Sequence, residues 1–183
     1  MIALISVGTD HHPFDRLIRG VQRILAPLED ARLVVQHGYS APAPGAENHD
    51  FLPREQMLEL FATADLVVTQ VGPGTILDAN SVGRRPIAMP RDPARGEHVD
   101  GHQFAFAEVM SRTGSIALAH GTADLGGELL AAIRTPSLTR LQPRRSPAGE
   151  TALTLDLRAQ DLRRTPSHPV YWRRVLASLR KVA

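Results

Sequence analysis

The chain has no cysteine, which removes disulfides and thiolate metal sites together. Aromatic residues make up only 4% of it, which argues against a protein that reads nucleic acid by stacking bases. No apolar run reaches the roughly 18 residues that a membrane-spanning helix needs. The apolar start MIALISVG is short and carries neither a basic leader nor a cleavage site, so it reads as a strand and not as a signal peptide. What these absences leave is a soluble, cytoplasmic protein of 183 residues, long enough for one buried core and a tail.

The charge is unevenly spread. The net charge is +2, but residues 1–133 hold 10 Arg against 16 Asp and Glu, and residues 134–183 hold 11 Lys and Arg against 3 Asp and Glu. The compact part is acidic and the tail is basic. Basic character confined to a tail is poor support for nucleic-acid binding, and no nucleic-acid partner is expected.

Apolar residues recur at helical spacing from Phe14 to Leu28, with Pro13 before them as suits a helix start. Short apolar runs at 2–7, 33–36, 64–70, 86–89 and 115–119 read as strands. Helical stretches follow from Pro53, over 76–82, over 102–112 and over 123–134. The stretch HGYSAPAPGAENHD between the second strand and the helix after Pro53 reads as a surface loop. Strands alternating with helices, themselves almost wholly apolar, predict an α/β, Rossmann-like, doubly wound parallel sheet of about five βα units. Ligands of such sheets sit beyond the carboxyl ends of the strands, where Gly8-Thr9, His37-Gly38-Tyr39, 70–75 and 90–103 all fall. Residues 135–169 are rich in Pro, Arg and Ser and read as a linker or extended arm. Residues 170–183 read as an amphipathic helix with Trp172, Val175, Leu176, Leu179 and Val182 on one face and Arg173, Arg174, Arg180 and Lys181 around it. Such a helix suits packing on the domain or a partner, or lying on an anionic membrane surface.

The stretch QVGPGTILDA, residues 70–79, puts a glycine turn between a strand and a helix. A helix N-terminus offers free N–H groups and roughly half a positive charge. Gly72 and Gly74 have no Cβ to keep a ligand away, Pro73 stiffens the turn and Thr75 adds a hydroxyl. Asp78, one helical turn past Thr75, would repel phosphate but accept hydrogen bonds from ribose hydroxyls, so the pair suits a nucleotide. The same residues also fit a bland reading, a Thr75-x-x-Asp78 capping box after an ordinary turn. The motif is neither a P-loop nor the dinucleotide fingerprint. The second glycine turn, SVGTDHH, favours the ligand reading.

In PRDPARGEHVDGHQ, residues 90–103, His98 and His102 lie four apart with Glu97 and Asp100 nearby. Gly101 interrupts a helix there and no third ligand is evident, so no metal site is expected. Glu97, His98, His102 and Gln103 supply the donors and acceptors that sugar hydroxyls need. Arg91 and Arg95 are placed to balance diphosphate charge, or are solvated surface.

The segments VGTDHHPFDRLIRGV, VQHGYS, ADLVVTQVGPGTILDANSVGRRPIAMPRDP and GEHVDGHQFAFAEVM resemble the C-terminal, donor-binding half of family 28 glycosyltransferases. They are most similar to the stand-alone donor subunits of two-component transferases in exopolysaccharide and lipid-linked glycan synthesis. The resemblance covers about residues 3–133 and leaves out the tail. It implies half of a GT-B fold over 1–134, a UDP-sugar substrate such as UDP-N-acetylglucosamine, UDP-glucose or UDP-galactose, and inverting transfer with no cofactor and no bound metal. Carried onto this chain, it implies that Gly8, Thr9, Gly72, Gly74 and Thr75 hold the diphosphate and Asp78 the ribose. His102 and Gln103 then meet sugar hydroxyls, with Glu97 and His98 in the same stretch, and Phe51 lies by the uracil. Where relatives read His-Gly-Gly or His-Ala-Gly this chain has Gln70-Val71-Gly72, and Asp78 is one methylene shorter than the usual glutamate. In such transferases the general base and the acceptor site lie in the other half. The expected partner is therefore a membrane-associated acceptor-binding subunit holding a lipid-linked or polysaccharide acceptor, with this chain inactive alone. A non-catalytic scaffolding module that keeps the fold is the alternative.

Overall fold

The computed structural model describes residues 1–143. Strand β1 (Ile2–Ser6) sets both faces of the sheet. Successive side chains of a strand point to opposite faces, and here both faces are apolar. Ala3, Ile5 and Val7 pack with α1 (Asp15–Leu25) and α5 (Thr122–Arg134), whereas Leu4 packs with Phe61 of α2 (Arg54–Thr63) and Ala79 of α3 (Pro73–Ser81). A third cluster joins Val71, Ile76, Ala88 and Ile116 to Ala107 of α4 (His102–Arg112). A sheet covered on both sides needs strands that are apolar throughout, which is why β4 (Leu66–Gln70) is buried at every position.

The remaining strands are β2 (Arg32–Gln36), β3 (Glu47–His49), β5 (Ile87–Met89) and β6 (Ala117–Leu118). They form a six-stranded sheet in the order β3-β2-β1-β4-β5-β6, and every pairing is parallel. Strand β3 lies inside the stretch expected to be only a loop. It carries no apolar residue, and it is a strand because Val34, Val35 and Gln36 of β2 offer it a ladder. The domain also continues past residue 134. A 3-10 turn at Pro136–Thr139 buries Thr139, and Leu141 N–H donates to Gly83 O at 2.9 Å. Residues 135–141 of the expected linker therefore belong to the domain. The rest of that stretch and the expected helix over 170–183 lie outside the described residues.

Candidate functional site

The strand order reverses between β1 and β4: the chain winds outward from β1 through β2 to β3, then returns beside β1 and winds the other way. A crevice opens beyond the carboxyl ends of two such strands, and both glycine turns stand there. Gly8, just past β1, has φ +75°, which glycine adopts freely. Its carbonyl accepts from Gln36 Nε2 at 3.0 Å and its N–H donates to Gln36 Oε1 at 3.2 Å. Ser6 Oγ donates to the same Oε1 at 2.8 Å. Gly8 thus shapes the turn but has no free N–H to offer. Thr9 beside it is exposed, and its N–H and hydroxyl have no hydrogen-bond partner among the described residues.

Across the crevice, Gly72 is the N-cap of α3 and Pro73 its first residue. The N–H groups of Gly74 and Thr75 then fall in the first turn, where a helix has no acceptor of its own. A Cβ on Gly74 would meet nothing within 4 Å, so this part of the turn is open to a ligand. Gly72 differs. A Cβ there would lie 2.5 Å from both Nε2 and Oε1 of Gln70, and one on Gly8 would lie 2.2 Å from Gln70 Nε2. These two glycines therefore make room for the Gln70 carboxamide, which fills the gap between the turns. Gln70 is buried, its Oε1 has no hydrogen-bond partner, and its Nε2 reaches only Thr75 Oγ1 at 3.5 Å.

The capping-box reading of Thr75 and Asp78 does not hold. With Gly72 at the N-cap, Thr75 is already the third helical residue, and no side chain caps α3. Asp78 instead accepts from Arg54 at the start of α2, with Nη2 to Oδ1 at 2.6 Å and Nε to each oxygen at 3.1 Å. That pair holds the Arg54 guanidinium more firmly protonated than usual, through the hydrogen bond first and charge attraction second. Phe51 is exposed and meets exposed Tyr39 edge to face, with ring centroids 5.4 Å apart. Arg54 was not expected at the site, and Tyr39 was expected at the ligand end of the sheet without a role of its own.

Arg91 and Glu97 prove to be internal braces. Arg91 is fully buried, and its guanidinium donates to three backbone carbonyls: His12 at 2.6 Å, Val7 at 2.8 Å and Glu97 at 3.0 Å. It also lies over the Phe14 ring, 4.8 Å from the centroid. Burial pushes its pKa down, an effect that Asp10 and Glu97 offset only in part; an arginine keeps its charge even so. Glu97 is buried as well. It accepts from Arg16 through both oxygens, at 2.8 and 2.7 Å, and from the Asp92 N–H at 2.9 Å. Neither charge is free to meet a diphosphate or a sugar, which corrects the expectation for both. Gln103 is also buried, with Oε1 accepting the Arg91 N–H at 3.1 Å. Arg95 is exposed and pairs with Asp92 at 3.2 Å.

The fold brings the two histidine-rich stretches together. Asp10 Oδ1 lies 2.7 Å from His12 Nδ1, and Asp10 Oδ2 lies 3.3 Å from His98 Nε2. His98 and His102 meet edge to face, centroids 4.7 Å apart, and His102 Nδ1 contacts Asp100 Oδ1. Burial alone would push the Asp10 carboxyl up, but the N–H and ring of His12, with Arg91 and His98 nearby, outweigh it and hold the group below the ordinary carboxylate range. The candidate ligand atoms of Asp10, His11 and His12 lie within 4.8 Å of one another, as do those of His98, Asp100 and His102. The His98 ring does not suit a cation, however. Its Nδ1 accepts the Val99 N–H at 2.9 Å, so Nε2 carries the proton of the neutral ring and faces Asp10, and no lone pair is left over.

A doubly wound sheet whose crevice opens between β1 and β4 defines a Rossmann-like domain of the kind that forms one half of a GT-B glycosyltransferase. Residues 2–135 match the glycosyltransferase family 28 C-terminal domain, and the chain belongs to that family. Among solved structures it is similar to the glycotransferase of kitacinnamycin, with TM-score 0.55 and 22% identity over 75% of this chain and 36% of that one. It is also similar to MurG of Acinetobacter baumannii, with TM-score 0.54 and 21% identity over 75% of this chain and 42% of that one. The chain thus spans less than half the length of these structures. No curated protein sequence matches it at a significant level. No helix among the described residues is long and apolar enough to cross a membrane.

Proposed function

We propose that this chain is the donor-binding half of an inverting glycosyltransferase that takes its sugar from a UDP-sugar. The observation that carries the reading is the open start of α3: unpaired N–H groups at Gly74 and Thr75, empty space at Gly74, and Asp78 one turn further on. The helix end and Thr9 bind the diphosphate. Asp78, exchanging its contact with Arg54 for ribose hydroxyls, reads the nucleoside. His102 with Asp100 meets the sugar, and Phe51 with Tyr39 meets the base. UDP-N-acetylglucosamine, UDP-glucose and UDP-galactose are the donors. A membrane-associated partner subunit brings a lipid-linked or polysaccharide acceptor and holds this chain at the inner face of the membrane. The donor sugar leaves UDP, whose developing charge the helix end and its N–H groups stabilise.

Binding to the folded state alone raises stability, by about 2.7 kcal/mol at a ligand concentration 100 times Kd. UDP should therefore raise the thermal midpoint of the full chain well above the effect of ADP, and Asp78→Ala should reduce that rise. A midpoint that no uridine nucleotide moves would count against the proposal. One observation favours a second reading, a scaffolding module that keeps the fold: the Gln70 carboxamide stands between the two glycine turns. On that reading Gln70→Ala leaves UDP without effect, as in the wild type.

A further inference from the structure

Gln70 ends β4 and has no role in the donor-binding reading, yet the crevice is shaped around it. Its carboxamide lies between the two glycine turns, so close to Gly8 and Gly72 that a Cβ on either would overlap it. Gly72 has an ordinary φ of −96°, so nothing in its own backbone asks for glycine. What asks for it is the Gln70 side chain. The third neighbour is Thr75, whose Oγ1 lies 3.5 Å from Gln70 Nε2. Thr75 stands in the first turn of α3, and this contact places the carboxamide at the end of the helix that attracts anions.

The group so accommodated is poorly held. Gln70 is 7% exposed, and its Oε1 is buried with no hydrogen-bond partner. The single bond from Nε2 to Thr75 is at the long limit for a hydrogen bond. A carboxamide has two N–H donors and a carbonyl acceptor, so most of its capacity is unused. A buried polar group left unpaired costs stability, and an apolar side chain of the same shape would avoid that cost. The neighbouring Gly74 and Thr75 N–H groups lie in the first turn of α3 and also lack helical acceptors. An acceptor arriving at this place therefore meets two backbone donors and the spare N–H of Gln70. With nothing bonded to Oε1, the carboxamide is free to turn toward it.

We propose that Gln70 is a specificity-determining residue of the donor site, donating from Nε2 to an oxygen of the nucleoside diphosphate as that group settles on the start of α3. This rests on the donor-binding reading. The carboxamide that the scaffolding reading treats as an obstruction is here part of the site. Selection at this point is by a neutral hydrogen bond to an anion. The same shape carrying a carboxylate could only accept, and it would repel the diphosphate. The contact involves the phosphates alone, so it distinguishes a nucleotide from its nucleoside.

The test compares UDP, titrated by calorimetry, with uridine, titrated by ligand-observed NMR, on the full chain and two variants of matched shape. Gln70→Met removes the donor and keeps the bulk. It should weaken UDP by about 10- to 100-fold, as expected for a lost hydrogen bond to a charged group, and leave uridine unchanged. Its urea midpoint should equal or exceed that of the wild type, because the unpaired buried oxygen is gone. Gln70→Glu should weaken UDP further than Gln70→Met and again spare uridine. UDP affinity in Gln70→Met equal to or tighter than wild type makes the carboxamide a plug and overturns the proposal. Equal losses for UDP and uridine also overturn it, since a residue that only shapes the turn would give that result. A wild-type chain that binds neither ligand overturns the donor reading itself, and that outcome is visible before any variant is compared.

Discussion

Gly72 and Gly74 look alike in sequence, yet they should respond to alanine in opposite ways. At Gly72, φ is −96°, so an alanine backbone is not strained there. The obstacle is the Gln70 side chain, whose Nε2 and Oε1 lie 2.5 Å and Cδ 2.8 Å from where the Cβ would stand. Forcing a methyl group into packed space costs about 1–3 kcal/mol. Replacing glycine by alanine at an N-cap adds a smaller cost of its own. That second cost is the same whether or not Gln70 is present, so it cancels in a double-mutant cycle. Gly72→Ala, Gln70→Ala and the double variant, unfolded in urea with unchanged m, should give a coupling energy of about 1–3 kcal/mol. Gly74→Ala should leave stability within about 0.5 kcal/mol of wild type and weaken UDP, because its Cβ would enter the space assigned to the ligand. Equal destabilisation by Gly72→Ala with and without Gln70 would refute the reasoning, as would Gly74→Ala with full UDP affinity.

Other residues carry separate predictions. Asp78→Ala should weaken UDP by about 1–3 kcal/mol as a charged hydrogen-bond partner is lost, measured by titration calorimetry; unchanged affinity would leave Asp78 as the partner of Arg54 only. Arg54→Ala breaks a pair whose arginine side is well exposed, so urea unfolding should detect less than about 1 kcal/mol. Arg91→Met leaves three carbonyls without their donor in the interior, and a loss of about 3 kcal/mol or more is expected in the urea midpoint, with faster proteolysis of the 90–101 loop. The Asp10 carboxyl is held below its ordinary range, so its contribution is complete above the unfolded value of about 3.9 and is lost as pH falls through the folded value. The stability gap between wild type and Asp10→Asn should therefore be present at pH 7 and close below about pH 4; a gap that stays constant into acid would contradict the ionic role.

The order of strands and helices could be read from the chain because burial on both faces of the sheet leaves continuous apolar runs, and α4 was expected at 102–112 and stands at His102–Arg112. Strand β3 could not be read, since Glu47, Asn48 and His49 carry no apolar signal and pair only because β2 is exposed at that edge. The glycine turns were visible, but not the reason for two of their glycines. That reason is a contact with Gln70, five residues or fewer from Gly72 and Thr75 yet 62 residues from Gly8 in sequence. Arg91 and Glu97 show the limit most plainly. A charge in a loop has the same sequence appearance whether it faces a ligand or braces the loop, and only burial separates the two cases. The Asp10–His12–His98 chain joins segments more than 80 residues apart, so its two halves were legible singly and not as a unit.

The proposed function rests on a uridine diphosphate site between β1 and β4. The most direct test is a calorimetric titration of the full chain with UDP and with ADP, with no metal added. Saturable binding of UDP that is clearly tighter than that of ADP is the predicted result. Binding of neither nucleotide, or of both alike, would contradict it.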